Sequence, residues 1–448
     1  MAAAVLATTA AGPASAAARP NLRLASAYLV APGNLRDGHY YQSFPGYADF
    51  GLTTSGALAL AATGDQNPVL KGIVGFLDSA GKDPHGDTVN TWTGIGTRFA
   101  SGGSIGDEVL LAEVTGYNPR SFGGHNLITA LNASVCAHAS SGHNTSCAGA
   151  GNYSYATSVF DQALGVIAQL RAGQRTGAAA PVRFLESLRG RDGSFPSLIP
   201  DSHDRDVDST AMAAMALALV PGTAATADAR SALAWIAGQQ DSTGGFPGAS
   251  GDSVNSAGLA IQALSLRAAR YRPQIGAALS FLAREQNGNG GFTADAGQHG
   301  SNLRASTQAA GGAAGTPFGT LHRSLRGTPP PPPPPHTGAP GPRRRSRPRP
   351  TATVTQTVTA TATATSSPGA ADGPRHSATP SAVPDPAPQP VATTATAAPR
   401  ALSTAAHGSA LATALWWTVL GVGVAAAAGI GLLYLRRRRL YPAARSHA

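Results

Sequence analysis

The chain has 448 residues, with 33 Lys and Arg against 23 Asp and Glu. The whole excess lies from Thr328 onward, where 12 arginines face two aspartates, so the first 327 residues hold 21 basic and 21 acidic side chains. A neutral body of that size has no electrostatic footprint for nucleic acid, which is excluded as a partner.

Residues 1–19 form a signal-peptide-like segment. Ala2 to Ala11 is small and apolar and Ala14-Ser15-Ala16 has the form of a signal peptidase site, although no basic region precedes it. Residues 20–327 then read as paired helices. Outer helices are expected near Leu24, Gly72, Leu127, Pro181, Ser231 and Ala277, and inner helices start near Phe50, Ile105, Ser154, Val207, Val254 and Leu303. Runs such as Met212 to Val220 and Ala257 to Leu266 are apolar nearly all round. A helix with one wet face would carry a polar stripe, so these must be covered on both sides, as in a closed ring of six hairpins.

Residues 328–409 open with Pro329 to Pro335, pass Arg343, Arg344, Arg345, Arg347 and Arg349, and continue as a Thr/Ala/Pro tract. Such a composition cannot bury enough surface to offset its ordering entropy, and it is expected to be a disordered stalk. Residues 410–435 are charge-free and mostly apolar, longer than the ~20 that span a bilayer, with Trp416, Trp417 and Tyr434 toward the ends. Arg436 to Arg439 follow, so residues 436–448 are expected inside, the ring outside, and the protein in the cell membrane as a single-pass protein.

Within the ring three stretches repeat one pattern: Phe184-Leu185 to Arg189 to Gly193-Ser194-Phe195, Trp235-Ile236 to Gln240 to Gly244-Gly245-Phe246, and Phe281-Leu282 to Gln286 to Gly290-Gly291-Phe292. The pattern resembles the QW repeat of the terpenoid cyclase and protein prenyltransferase superfamily, a resemblance covering roughly residues 20 to 325. It implies an all-α (α/α)6 toroid. It also implies that Gln240 with Phe246, and Gln286 with Phe292, brace the start of a helix; Arg189 stands where the third glutamine is expected. Asp206-Val207-Asp208-Ser209-Thr210-Ala211 resembles the acid motif of class II cyclases, which makes Asp208 the proton donor and Asp206 its neighbour if the chain is an enzyme. Ser209 replaces the next acid of that motif, and only Trp92 and Trp235 lie in the ring, where carbocations need aromatic shelter.

The residues themselves also allow Asp206 and Asp208 to cap the helix that follows. A ring gathers six helix N-termini at one mouth, where Asp206, Asp208, Asn255, Ser306 and Tyr40 are the candidate ligand-binding residues. Cys136-x-His138-x4-His143-x3-Cys147 has ligand types for a soft metal, but in an exported chain a disulfide between Cys136 and Cys147 is expected, with no metal and no cofactor. The leading expectation is a membrane-anchored, non-catalytic toroid that binds a small molecule or an envelope partner. The superfamily's vitamin B12 carriers suggest a corrinoid by analogy. The alternatives are a class II terpene cyclase or isoprenoid-modifying enzyme, and a structural or adhesive surface protein.

Overall fold

The computed structural model describes residues 18–140, 146–200, 203–248 and 251–326. The stalk, the apolar stretch at 410–435, the arginine block and the signal-like segment 1–17 lie outside them. Among the described residues no helix is long and apolar enough to cross a membrane.

Thirteen α-helices are described, and six of them form an inner ring: α2 (Phe50–Thr63), α5 (Gly102–Thr115), α7 (Val159–Arg171), α9 (Val207–Leu217), α11 (Val254–Ser265) and α13 (Leu303–Ala313). Each packs on the next, and α13 packs back on α2, so the ring closes. The outer helices are α1 (Leu22–Leu29), α3 (Asn67–Asp78), α6 (Leu127–Ala133), α8 (Arg175–Ser187), α10 (Thr223–Gln239) and α12 (Arg272–Glu285); the short α4 (Val89–Thr93) is an extra turn before α5. The inner helices are buried on nearly every side, Ala211 to Leu217 of α9 without exception. Outer helices keep one dry stripe, as Leu70, Ile73, Val74 and Leu77 do on α3.

One pairing differs from the sequence expectation. Each outer helix from α3 onward packs mainly on the inner helix before it rather than on the one that follows, and α1 sits on α13 and α2. Connection length explains this. Inner-to-outer links are a few residues, such as 218–222, and force antiparallel neighbours; outer-to-inner links, such as 188–206 and 286–302, are long enough to displace the helix.

Those long links form a turn shell around the ring's upper face, built by one repeated device. Phe195, Phe246 and Phe292 are completely buried. The Phe195 N–H donates to Thr210 Oγ1 at 3.0 Å and the Phe292 N–H to Ser306 Oγ at 2.8 Å, while each hydroxyl donates to the carbonyl of its own helix's cap, Asp206 or Asn302. In the first unit Tyr41 N–H and Thr53 do the same, and in α7 the amide of Gln162 takes the place of the hydroxyl for Tyr153. Gln286 accepts from Asn21 N–H at 2.7 Å and donates to the Asn21 carbonyl and to Gly290, tying the last turn to the first helix across the seam. Gln240 likewise donates to Gly244 and to Gln274 at the start of α12. Arg189 replaces that link by an ion pair with Asp228 of α10 at 3.0 Å. Gly244 has φ +86°, and a Cβ there would come within 2.4 Å of the Ala277 carbonyl oxygen, so the turn and α12 approach only because glycine is present.

Cys136 and Cys147 are joined by a disulfide with Cα atoms 6.0 Å apart. The bridge consumes both thiols, so the metal alternative for that motif falls; among the described residues no cluster of metal-ligating side chains exists.

Candidate functional site

All six inner helices start on the same face, capped by Asp49, Ser101, Ser158, Asp206, Ser253 and Asn302, each with extended backbone and a side-chain oxygen accepting from the first turn. Capping at α9 therefore belongs to Asp206 alone, whose carboxylate accepts from Ser209 N–H at 2.6 Å. Asp208 stands two residues further on, inside the helix, and does not cap. Asn255 is the second residue of α11 behind the cap Ser253, and Ser306 is the fourth of α13 behind Asn302.

The candidate residues thus separate into two kinds. Ser306 is spent on the turn shell. Tyr40 is buried and its ring stacks on Phe76 of the outer helix α3 at 5.6 Å, beside His39, which stacks on the same ring. Asp208 and Asn255 occupy matching positions on neighbouring inner helices and each keeps a sealed oxygen with no hydrogen-bond partner, Oδ1 in both cases. The Asp208 residue as a whole is only half-buried, so one carboxyl oxygen is sealed at the edge of an open space. Burial, with Asp206 adding to it, raises the Asp208 carboxyl to about 7 against the opposing hydrogen bond of Ser256.

Below this level the ring encloses a cavity of about 50 Å³, room for about four waters. Its walls come from α2, α5, α7, α11 and α13, with Leu58, Leu164 and Leu259 in the middle turns and Phe160 in the first turn of α7. Its polar lining includes Asp107, Gln262, Thr307 and Gln308. Asp107 is 8% exposed and has no hydrogen-bond partner; burial, with the Asp161 charge across the α5–α7 contact, raises it to about 8. Gln308 Oε1 is sealed and unpartnered as well.

The floor is a strap that follows α13. Phe318 lines the cavity, Gln262 donates to the Thr316 carbonyl at 3.0 Å, and the Arg171 guanidinium donates to the carbonyls of Phe318 and Leu321 at 2.7 and 2.9 Å. The strap then bonds to the last turn of α5 through Arg323 and Leu325, and the Arg323 side chain reaches Gly64 at the end of α2. Between Thr316 and Leu325 the strap touches five inner helices or the residues that follow them, with Gly319 lying against Leu219 beyond α9.

Sequence reasoning missed Asp107, Gln262 and Gln308. The available signal was Asp107-Glu108 inside the apolar run of α5, a charged pair where both faces must be covered. Glu108 is the other half of that signal: it is completely buried, faces Gly123 together with Asn90, has both oxygens unpartnered, and is raised to about 8 by burial with help from Asp107 and Asp78.

The closed ring decides the fold. The chain folds as a closed ring of paired helices, an (α/α)6 toroid. No family model matches the sequence, and no curated protein does. Among solved structures the toroid is similar to a variant of the type II terpene cyclase MstE from Scytonema in complex with geranylgeranyl dihydroxybenzoate, at 15% identity and TM-score 0.48 over 66% of this chain and 95% of that one. It is also similar to a protein from Actinoplanes, at 18% identity and TM-score 0.45 over 66% and 98%. A third similar structure is a wild-type glycosidase, at 14% and 0.46 over 65% and 95%. At these identities the activities of those proteins do not transfer.

Proposed function

We propose that this chain is a membrane-anchored, extracellular toroid that binds a small molecule at the mouth and axis of its ring without converting it. The observation that carries the reading is the axial cavity, lined by the buried Asp107 and by Gln262, Thr307 and Gln308, with sealed and unpartnered oxygens of Asp208 and Asn255 at the second positions of α9 and α11 toward the capped face. Buried polar groups without partners are costly, and a ligand that supplies donors relieves that cost. The strap closes the floor, so entry is from the capped face. The cavity is far too small for a corrinoid, which would have to lie on the outer face of the mouth. The composition of residues 410–439 supports the anchor and the outside location of the ring. Native mass spectrometry of the full chain purified from its host in mild detergent tests the reading: a retained small mass that is lost in Asp107→Asn supports it, and an empty ring favours the adhesive alternative.

The cyclase alternative has its own support in Asp208, whose carboxyl at about 7 is substantially protonated at neutral pH, as protonation of an alkene requires. Against it stands the cavity volume, since a twenty-carbon chain enters only if the strap leaves. Incubation with squalene or geranylgeranyl diphosphate is expected to give no product. A cyclised product that disappears in Asp208→Asn would make the enzyme reading right.

A further inference from the structure

The chemistry of the cavity lining selects one class of ligand, an inference that rests on reading the cavity as a binding site. Its one charged lining residue is Asp107, and no basic residue lines it. The acid facing Asp107 from α7 is Asp161, itself raised by burial against the hydrogen bonds from Ser158. Arg171, at the floor, is held by Glu113 at 3.5 Å and by the two strap carbonyls. An anion finds no positive partner in this lining. A neutral alcohol supplies no charge that would let the buried carboxyl ionise, whereas a cation does.

A carboxylate surrounded by hydrocarbon is stabilised by a cation that also donates hydrogen bonds, and a primary ammonium offers a compact charge, three donors and no acceptor. Asp107 and the Thr307 hydroxyl oxygen, whose own proton is given to the Arg304 carbonyl, are acceptors on the cavity lining, and the Gln308 side chain lines it as well. Leu58, Leu164 and Leu259 supply an apolar body for a short chain, and the faces of Phe160 and Phe318 favour positive charge.

We propose that the axial cavity binds a primary alkylammonium group, either a short amine or the amine end of a longer molecule entering by the mouth, with its nitrogen at Asp107 and Thr307. The volume of about 50 Å³ admits only a few heavy atoms, so branched or quaternary amines are rejected.

The test is titration of the full chain with propylammonium chloride, 1-propanol and sodium propionate by calorimetry or ligand-observed NMR. Propylammonium is expected to bind at least about tenfold more tightly than either isostere. Asp107→Asn is expected to remove that preference with the helical circular dichroism unchanged, and Gln308→Leu, which keeps the charge, to weaken it less. Equal binding of propanol and propylammonium, or a preference that survives Asp107→Asn, overturns the ammonium assignment. Retention of a neutral ligand that Leu259→Trp expels would overturn the assignment while leaving the binding-site reading intact. If no small molecule enters the cavity at all, both fall.

Discussion

The turn shell and the axis of this toroid treat polar groups in opposite ways. In the shell, a hydroxyl or amide at the fourth position of α2, α7, α9 and α13 accepts from a buried aromatic residue's N–H, and Gln240 and Gln286 tie two of the turns to the next helix. Elsewhere on the inner helices, Asp208, Asn255 and Gln308 have sealed oxygens with nothing to accept from, and Asp107 lines the axial cavity. Satisfied polar networks fix a unique packing, whereas unsatisfied ones are retained for what they can bind or do. The shell holds the ring together, and the axis is where its chemistry is free.

If that division is right, the largest loss of stability comes from the shell's aromatic anchors. Phe292→Ala removes a completely buried ring beneath the seam and is expected to cost about 3–5 kcal/mol in denaturant unfolding. A cost below about 1 kcal/mol would mean that the shell is not what locks the ring.

A somewhat smaller effect is expected from pH, because the axis and its wall carry buried acids. Glu108 is raised from 4.5 to about 8 in the fold. Between those values the folded state holds a proton that the unfolded state has released, so stability is full below about pH 4.5, falls as pH rises and levels off above about 8. The Glu108 share is of the order of a few kcal/mol. Glu108→Gln, which keeps shape and neutrality, is expected to flatten that decline when melting is followed from pH 5 to 9. An unchanged slope would show that Glu108 is solvated in a way its burial does not suggest.

The seam comes next. Gln286→Ala deletes two hydrogen bonds that join the last turn to Asn21 and a third to Gly290 within the turn, and a loss of about 1–2 kcal/mol is expected, with hydrogen exchange rising first in α1. The same truncation at Arg189, where an ion pair with Asp228 does the linking, is expected to cost less because the pair is partly exposed.

How much of this was legible follows the same division. Apolar runs and cap residues placed all six inner and six outer helices, because period and capping are local properties. The glutamine braces at Gln240 and Gln286 were legible only through the resemblance to the QW repeat. The hydroxyls of Thr210 and Ser306 were not, since their partners lie 15 and 14 residues back across a turn whose path only tertiary packing defines. Ser306 was for that reason placed at the mouth, when its oxygen belongs to the shell. Asp107 was missed because the Asp107-Glu108 pair in an apolar helix says only that two acids are buried, not what they face; that depends on which way the ring closes and on the strap that floors the cavity.

The smallest stability change, and the sharpest division between shell and axis, is expected at Asp206 and Asp208. Asp206 accepts from Ser209 N–H as the cap of α9, so Asp206→Ala is expected to cost on the order of 1 kcal/mol, and Asp206→Asn, which still caps, a few tenths. Asp208 caps nothing. Its Oδ1 is sealed without a partner, and its carboxyl is raised to about 7 because burial, with the Asp206 charge adding to it, disfavours the ionised form. Asp208→Asn removes that ionisation, and melting temperature is expected to stay level at pH 6 and to rise slightly at pH 8, where the wild-type carboxylate is charged and costly. A stabilised variant that has also lost ligand would mark Asp208 as a group kept for the axis at the expense of the fold. A destabilised one would place it in the shell beside Asp206, through its bond with Ser256, and would return the acid pair to a purely structural role.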